Sequence, residues 1–540
     1  MISLRVLSPT TNKASNYVLF SSLLSTILFN LVLWVYVINN IELSTFSGVA
    51  ILSSVFAIVF VFTFTFCSFL ALFSLQILKG FFAITTVVNA IAIYYMMAYR
   101  VVLDRSMMGN IFNTRYSESI ELLSINLLFT AIVVGFLPAW ILIRPEVKKL
   151  DRIIIARNAL LAFIGSVTFL YVNAASWLWI DKHASVLGGN ILPWSYIINS
   201  ARHYASIKKS TEGQITLPNG KLINNEKTIF VLVIGETARA DNFSLYGYAN
   251  LTNPKLAQQQ NLLVLQHTKS CTTYTTGSLA CMLAPTEEHT NYEALPTYLK
   301  RHGIEVEWRS NNWGEPAIDV SRYIEANELR SDCTGDGCHL DEVLLTNLSQ
   351  AIESSNKQKL LLVLHTKGSH GPSYYKRYTK RFEQFTPVCR DEEINMCSSE
   401  SLINAYDNTV LYTDHVLVNI IEKLKSIKDT STAMMYISDH GESLGEHGLY
   451  LHGTPYTFAP DYQKNIPFLI WASDQFLKQK KLDLSELKQA SMHSQFNVFH
   501  TVLGVFGLDS PIYNAELDVL HDSHGKVEDF KVNATKKLTF

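Results

Sequence analysis

Ala433-Met434-Met435-Tyr436-Ile437 runs straight into Ser438-Asp439-His440-Gly441-Glu442-Ser443. The short apolar run flanked by polar residues reads as a central strand of a mostly parallel sheet, and ligands of such sheets lie beyond the carboxyl ends of the strands. A carboxylate and an imidazole at that point suit a metal, although an Asp-His pair alone is a common surface turn. Two further strands repeat the arrangement. Thr228–Ile234 ends in Gly235-Glu236-Thr237, and Leu360–Leu364 ends in His365-Thr366-Lys367-Gly368-Ser369-His370-Gly371-Pro372. Three strand ends that carry acids or imidazoles rarely arise by accident, and oxygen and nitrogen donors without thiolates favour zinc or manganese. A hydroxyl-rich segment, Ser270-Cys271-Thr272-Thr273-Tyr274-Thr275-Thr276-Gly277-Ser278, offers a nucleophile, since coordination to a metal makes a hydroxyl reactive near neutral pH.

Working outward, the 540 residues divide by charge. Uncharged apolar segments predict five membrane spans at about 17–38, 47–72, 80–99, 122–143 and 158–180, each close to the ~20 residues a crossing helix needs. Their apolarity all round the helix separates them from core helices of a soluble protein. The first lacks a small-residue cleavage site and reads as a retained span. Arg5 and Lys13 before the first span, and Arg144, Lys148, Lys149, Arg152 and Arg157 between the fourth and fifth, place the N-terminus inside; Arg100, Arg105 and Arg115 fall outside and fit less well. Residues 181–225 read as an amphipathic linker at the membrane surface, and 226–540 as a catalytic domain across the membrane from the cytoplasm.

Six of seven cysteines pair closely in that second half, Cys271 with Cys281, Cys333 with Cys338 and Cys389 with Cys397, which predicts three local disulfides and an oxidising compartment. The formal net charge of −2 comes with no basic stripe in the soluble half, so nucleic acid is not a partner class the sequence supports.

Five blocks in order carry a family resemblance: Ile234–Asp241, Ser270-Cys271-(x)3-Thr275, His365–Pro372, Tyr406-Asp407-Asn408-Thr409 and Ser438–Glu446. Together they resemble the lipid A-type phosphoethanolamine transferases of Gram-negative inner membranes, a group that includes the mobile colistin-resistance enzymes and lies in the alkaline phosphatase and sulfatase superfamily. The resemblance implies five transmembrane helices followed by an α/β alkaline-phosphatase-like domain with a mostly parallel central sheet. It implies zinc, one ion tightly held by Glu236, Thr275, Asp439 and His440, with Thr275 as nucleophile. His370 and His452 match positions that bind substrate phosphate or a second zinc, with a catalytic proton role open to either, and His365 is a further substrate-side candidate. Spacing alone leaves Thr273 and Thr276 open beside Thr275. Asn110, Thr114 and Glu118, four apart and so on one helical face, match positions that help bind the donor head group. The chain departs from the family after Asn311-Asn312, where Trp313-Gly314-Glu315-Pro316 follows in place of a lysine and Arg309 is the nearest basic group.

The implied reaction moves phosphoethanolamine from phosphatidylethanolamine to a lipid A phosphate or related lipopolysaccharide acceptor through a phosphothreonine intermediate, giving polymyxin resistance, with a monomer expected at the inner membrane. The rival readings are a lipoteichoic-acid-type phosphoglycerol transferase and a non-catalytic membrane sensor with a phosphatase-like fold.

Overall fold

The structure is a computed structural model; it describes residues 13–114, 119–120, 122–147, 150–174, 176–210, 213–286, 291–484, 487 and 492–521. The first half is helical. Helices α1 (Ala14–Leu28) and α2 (Leu31–Asn39) are bent by 55° and together have the length and apolarity of one crossing. Four more spans follow: α3 (Phe46–Phe73), α4 (Leu75–Ala98), α6 (Ile125–Ile143) and α7 (Arg152–Val172). Between α4 and α6 lies the short α5 (Arg105–Asn113), capped at its start by the Asp104 carboxylate. The stretch Leu43–Leu78, long enough to hide two crossings, holds one long helix closed at Ser74, whose side chain accepts from the Gln76 N–H to start α4.

The last span differs from the expected 158–180. It begins at Arg152 and ends at Val172, because the chain turns at Asn173 and restarts as α8 (Ser176–Lys182). Helices α9 (Ala184–Asn190) and α10 (Trp194–Ser210) follow. The chain then joins the second half sooner than residue 226: Ile215 bridges to Tyr292, and Lys221–Leu222 pairs with Leu508–Asp509.

The second half is built on a seven-stranded sheet. Its strands are β1 (Thr228–Gly235), β2 (Leu262–Val264), β3 (Glu305–Ser310), β4 (Arg322–Glu325), β5 (Lys359–His365), β6 (Ser431–Ser438) and β7 (Phe468–Ala472). In space they run β2-β7-β6-β1-β5-β3-β4, and only β7 runs against the others. The central strands read as unbroken apolar runs because both faces are covered. In β1, Ile229, Val231 and Val233 pack on one side with the long helix α12 (Ser399–Lys425), while Phe230, Leu232 and Ile234 pack on the other with α13 (Phe496–Phe506). The register sets Ile234 beside His365 and Gly235 beside Ser438, so the three chemistry-bearing strand ends finish level.

Two of the three expected disulfides are present, Cys333–Cys338 and Cys389–Cys397. The third is corrected: the structure records no bond between Cys271 and Cys281. Cys281 sits on helix α11 (Thr275–Met282), and the Cys271 N–H donates to the Gln495 side chain.

Candidate metal centre and nucleophile

Glu236, Asp439 and His440 leave adjacent strands at one level and bring a ligand atom each within 4.8 Å of one another, all buried. Asp439 Oδ1 accepts the N–H groups of Thr237 (2.8 Å) and His440 (2.7 Å), which turns Oδ2 toward the site, where it is buried with no hydrogen-bond partner. His440 Nδ1 faces the Gly441 carbonyl at 2.9 Å. A carbonyl only accepts, so Nδ1 carries the proton and Nε2 presents a lone pair. That lone pair lies 3.2 Å from Asp439 Oδ2 and 3.6 Å from Glu236 Oε1. Three ligand atoms, from two carboxylates and an imidazole, thus converge, an arrangement that fits a cation.

Thr275 is the first residue of α11 and turns its hydroxyl into this group. Oγ1 is 3.3 and 3.4 Å from the two Glu236 oxygens and 3.4 Å from His440 Nε2. The neighbouring Thr273 hydroxyl is accounted for differently: its Oγ1 donates to the Thr454 carbonyl. Geometry thus turns the Thr275 hydroxyl to the ligand group and the Thr273 hydroxyl away from it, which spacing could not.

Glu236 is held from two sides, by the Thr237 hydroxyl (2.6 Å) and the Asn312 amide (2.7 Å). Thr237 has φ +58°, uncommon for a β-branched residue, and its two bonds into the site hold it there. Burial pushes the Glu236 carboxyl up to about 7, and Asp439 beside it adds to the rise. Burial likewise lifts Asp439 to about 6 against the pull of its N–H donors. His440 is driven down to about 3 by burial and by the charge of His452.

A second cluster adjoins the first. The His452 ring lies 4.3 Å from that of His440 and 5.7 Å from that of His370. Burial works against a charge on His452, but Glu442, 3.2 Å from Nδ1, outweighs it and raises the imidazole to about 9. Burial and the nearby cations hold His370 well below the usual histidine range, and its Nδ1 is buried with no hydrogen-bond partner among the described residues. Glu442 sits inside the quoted motif, yet nothing in the sequence marks it as the partner of His452; the same holds for Asn312 and Thr237 around Glu236.

Arg309 and His365 each have other partners. Arg309 is not available to a substrate phosphate: it is buried, paired with Glu307 at 2.6 Å and bonded to the carbonyls of Leu344 and Thr346. His365 lies outside the Glu236-Asp439-His440 group, with Nδ1 3.3 Å from Ser310 Oγ and its ring edge-on to Trp308. From the membrane half, α5 reaches the site: a Cβ on Gly453, next to His452, would lie 2.9 Å from Met107 Cε and 3.9 Å from the Asn110 amide nitrogen. Thr114 caps α5 and turns its hydroxyl back to the Asn110 carbonyl; Glu118 lies outside the described residues.

Comparison with known proteins agrees with this arrangement. Residues 58–207 match the family model described as phosphoethanolamine transferase EptA/EptB, and residues 228–508 match the sulfatase model. Phosphoethanolamine transferase EptA of Helicobacter pylori is 38% identical over 466 residues, covering 84% of this chain and 87% of that protein. Phosphatidylethanolamine transferase Mcr-2 of Escherichia coli is 30% identical, covering 79% and 85%. The integral membrane lipooligosaccharide phosphoethanolamine transferase A from Neisseria meningitidis superposes with a TM-score of 0.85 at 28% identity, covering 95% of this chain and 99% of that one. With its level strand ends, its threonine at a helix start and its helical membrane half, the chain belongs to the phosphoethanolamine transferase family, and is a multi-pass inner-membrane protein whose catalytic half lies in the periplasm.

Proposed function

We propose that the protein moves phosphoethanolamine from phosphatidylethanolamine to a phosphate of lipid A or a related lipopolysaccharide acceptor, with Thr275 as nucleophile and zinc as cofactor. The observation that carries this reading is the Thr275 hydroxyl at 3.3 to 3.4 Å from both Glu236 and His440. Glu236, Asp439, His440 and Thr275 would hold the zinc, which when bound acts as a Lewis acid that lowers the hydroxyl pKa and offsets charge on the transferring group.

Thr275 Oγ1, its proton lost to solvent beforehand, forms a bond to the donor phosphorus as the bond from phosphorus to the glycerol oxygen breaks. His452, kept protonated by Glu442, is suited to give its proton to that leaving oxygen, so diacylglycerol departs neutral. The N-terminus of α11 directs its N–H groups toward the phosphoryl oxygens carried by Thr275. An acceptor phosphate oxygen then attacks the phosphothreonine, Thr275 leaves, and the acceptor proton returns to His452. Splitting the displacement in two lets one site serve two lipids in turn. The lipooligosaccharide in the name of the Neisseria protein supports the acceptor class. Covering lipid A phosphates with an amine weakens the attraction of cationic peptides, from which polymyxin resistance follows.

Intact mass of the zinc-loaded protein after incubation with phosphatidylethanolamine is the direct test. The expected result is one phosphoethanolamine on Thr275, absent in Thr275→Ala. A phosphoglycerol adduct with phosphatidylglycerol instead, or no adduct at all, overturns the reading. Lipid mass spectrometry of cells with and without the protein identifies the acceptor.

A further inference from the structure

A cavity of about 430 Å³ lies in the membrane half, apart from the metal centre, between α3, the start of α5, α9 and α10. One wall is apolar: Ile58 and Phe62 of α3 face Ile198 and the buried Trp194 of α10, whose ring meets Phe62 edge-on at 4.7 Å and whose indole N–H is tied to Thr63. The other wall carries the guanidinium groups of Arg105 and Arg202. Asp104, the one carboxylate among the lining residues, caps α5 by accepting from the Ser106 hydroxyl and the Met107 N–H, and against its single charge the two arginines leave the lining net cationic.

Depth fixes what such a cavity can hold. Helix α3 reaches its cytoplasmic turn at Ser74, which puts Ile58 and Phe62 about 24 and 18 Å above that turn by the helical rise, in the outer half of a hydrocarbon core ~30 Å thick. Apolar side chains at the depth of outer-leaflet acyl chains, under two arginines suited to a phosphodiester, match the two ends of a glycerophospholipid. The same helix that brings Arg105 to the cavity brings Met107 and Asn110 against Gly453, beside His452.

We propose that this cavity is the seat of a diacyl glycerophospholipid, with its phosphodiester between Arg105 and Arg202 and its acyl chains along Ile58, Phe62 and Trp194, poised to be drawn along α5 to Thr275. The seat rests on the transfer reading for its purpose but not for its occupancy. It supplies cations near the donor phosphate in a chain whose Arg309 is committed elsewhere.

The test uses the full zinc-loaded chain in lipid nanodiscs with a phosphatidylethanolamine bearing a photoreactive diazirine in one acyl chain. Labelled peptides covering residues 58–62 and 191–198 are expected. The double variant Arg105→Gln/Arg202→Gln lowers labelling there by at least about fivefold. Gly188→Phe does the same without touching charge, because Gly188 lines the cavity and a side chain added there meets nothing within 4 Å. Phosphatidylethanolamine and phosphatidylglycerol compete, whereas inorganic phosphate and water-soluble glycerophosphoethanolamine do not. Even labelling around the membrane belt, labelling undiminished in both variants, or competition by lipid A alone overturns the proposal, the last by making the cavity an acceptor seat. Labelling without a Thr275 adduct sinks the transfer reading and leaves the seat standing; an adduct without labelling does the reverse.

Discussion

Single residues in this protein act through their partners. Asn312 touches no proposed metal position, yet its amide fixes one Glu236 oxygen at 2.7 Å. Loss of such an outer partner typically weakens metal binding 10- to 100-fold, so Asn312→Ala is expected to lower zinc affinity by about that factor, measured by competition with a chelator. Removal of a ligand goes further: Asp439→Ala should leave the purified protein nearly zinc-free by elemental analysis. Far from the site, Asp518 is buried and accepts from the Tyr513 hydroxyl and the Leu520 N–H. Burial raises its carboxyl to about 6 from the ordinary 3.8. A raised acid holds its proton more tightly folded than unfolded, so its contribution to stability is greatest below the unfolded pKa and is lost as pH rises from about 4 to about 6. The loss is of order 3 kcal/mol. Asp518→Asn should flatten that part of the unfolding profile; an unchanged slope between pH 4 and 7 counts against this account.

At the scale of elements, turns rather than strands give the site its shape. The motif after β6 passes so close to its neighbour that a Cβ on Gly441 would sit 2.0 Å from the Tyr462 carbonyl oxygen. Gly441→Ala must displace one backbone from the other, at a cost of about 1–3 kcal/mol, and with it the Gly441 carbonyl that sets the His440 tautomer. Lower melting temperature together with lower zinc content is the expected result. Gly368 is similar, with φ +50° and a Cβ position 2.6 Å from the Glu236 carbonyl. The apolar runs of β1, β5 and β6 announce buried strands in the sequence, and the residues after them announce chemistry. Why His370 lies beside His452 while His365 packs on Ser310 and Trp308 is invisible there, because His365 closes β5 and His370 lies in the turn after it, and only the path of the backbone separates their surroundings.

At the scale of the whole molecule, side chains of the membrane helices bond to and pack on the periplasmic half. Glu393, in the loop closed by the Cys389–Cys397 bridge, accepts from the Tyr94 hydroxyl of α4 (2.9 Å) and the Asn126 amide of α6 (2.6 Å). Glu393→Ala should speed hydrogen exchange in residues 391–397 and reduce phospholipid turnover more than hydrolysis of a small soluble phosphodiester, since only the former needs the halves aligned. Equal loss on both substrates would argue for a purely local role.

By itself the sequence determined that apolar spans precede an α/β domain, that acids and imidazoles stand at strand ends, and that the second half lies in an oxidising compartment, because length, hydrophobic period and residue chemistry are local properties. Only the tertiary structure decided that the Thr275 hydroxyl faces the ligand group and the Thr273 hydroxyl turns away, that Arg309 is tied to Glu307 and two carbonyls, that Glu442 charges His452, and that Arg105 and Arg202 share a cavity with α3. These are relations between segments far apart in the chain, fixed by strand register and by the packing of one half on the other.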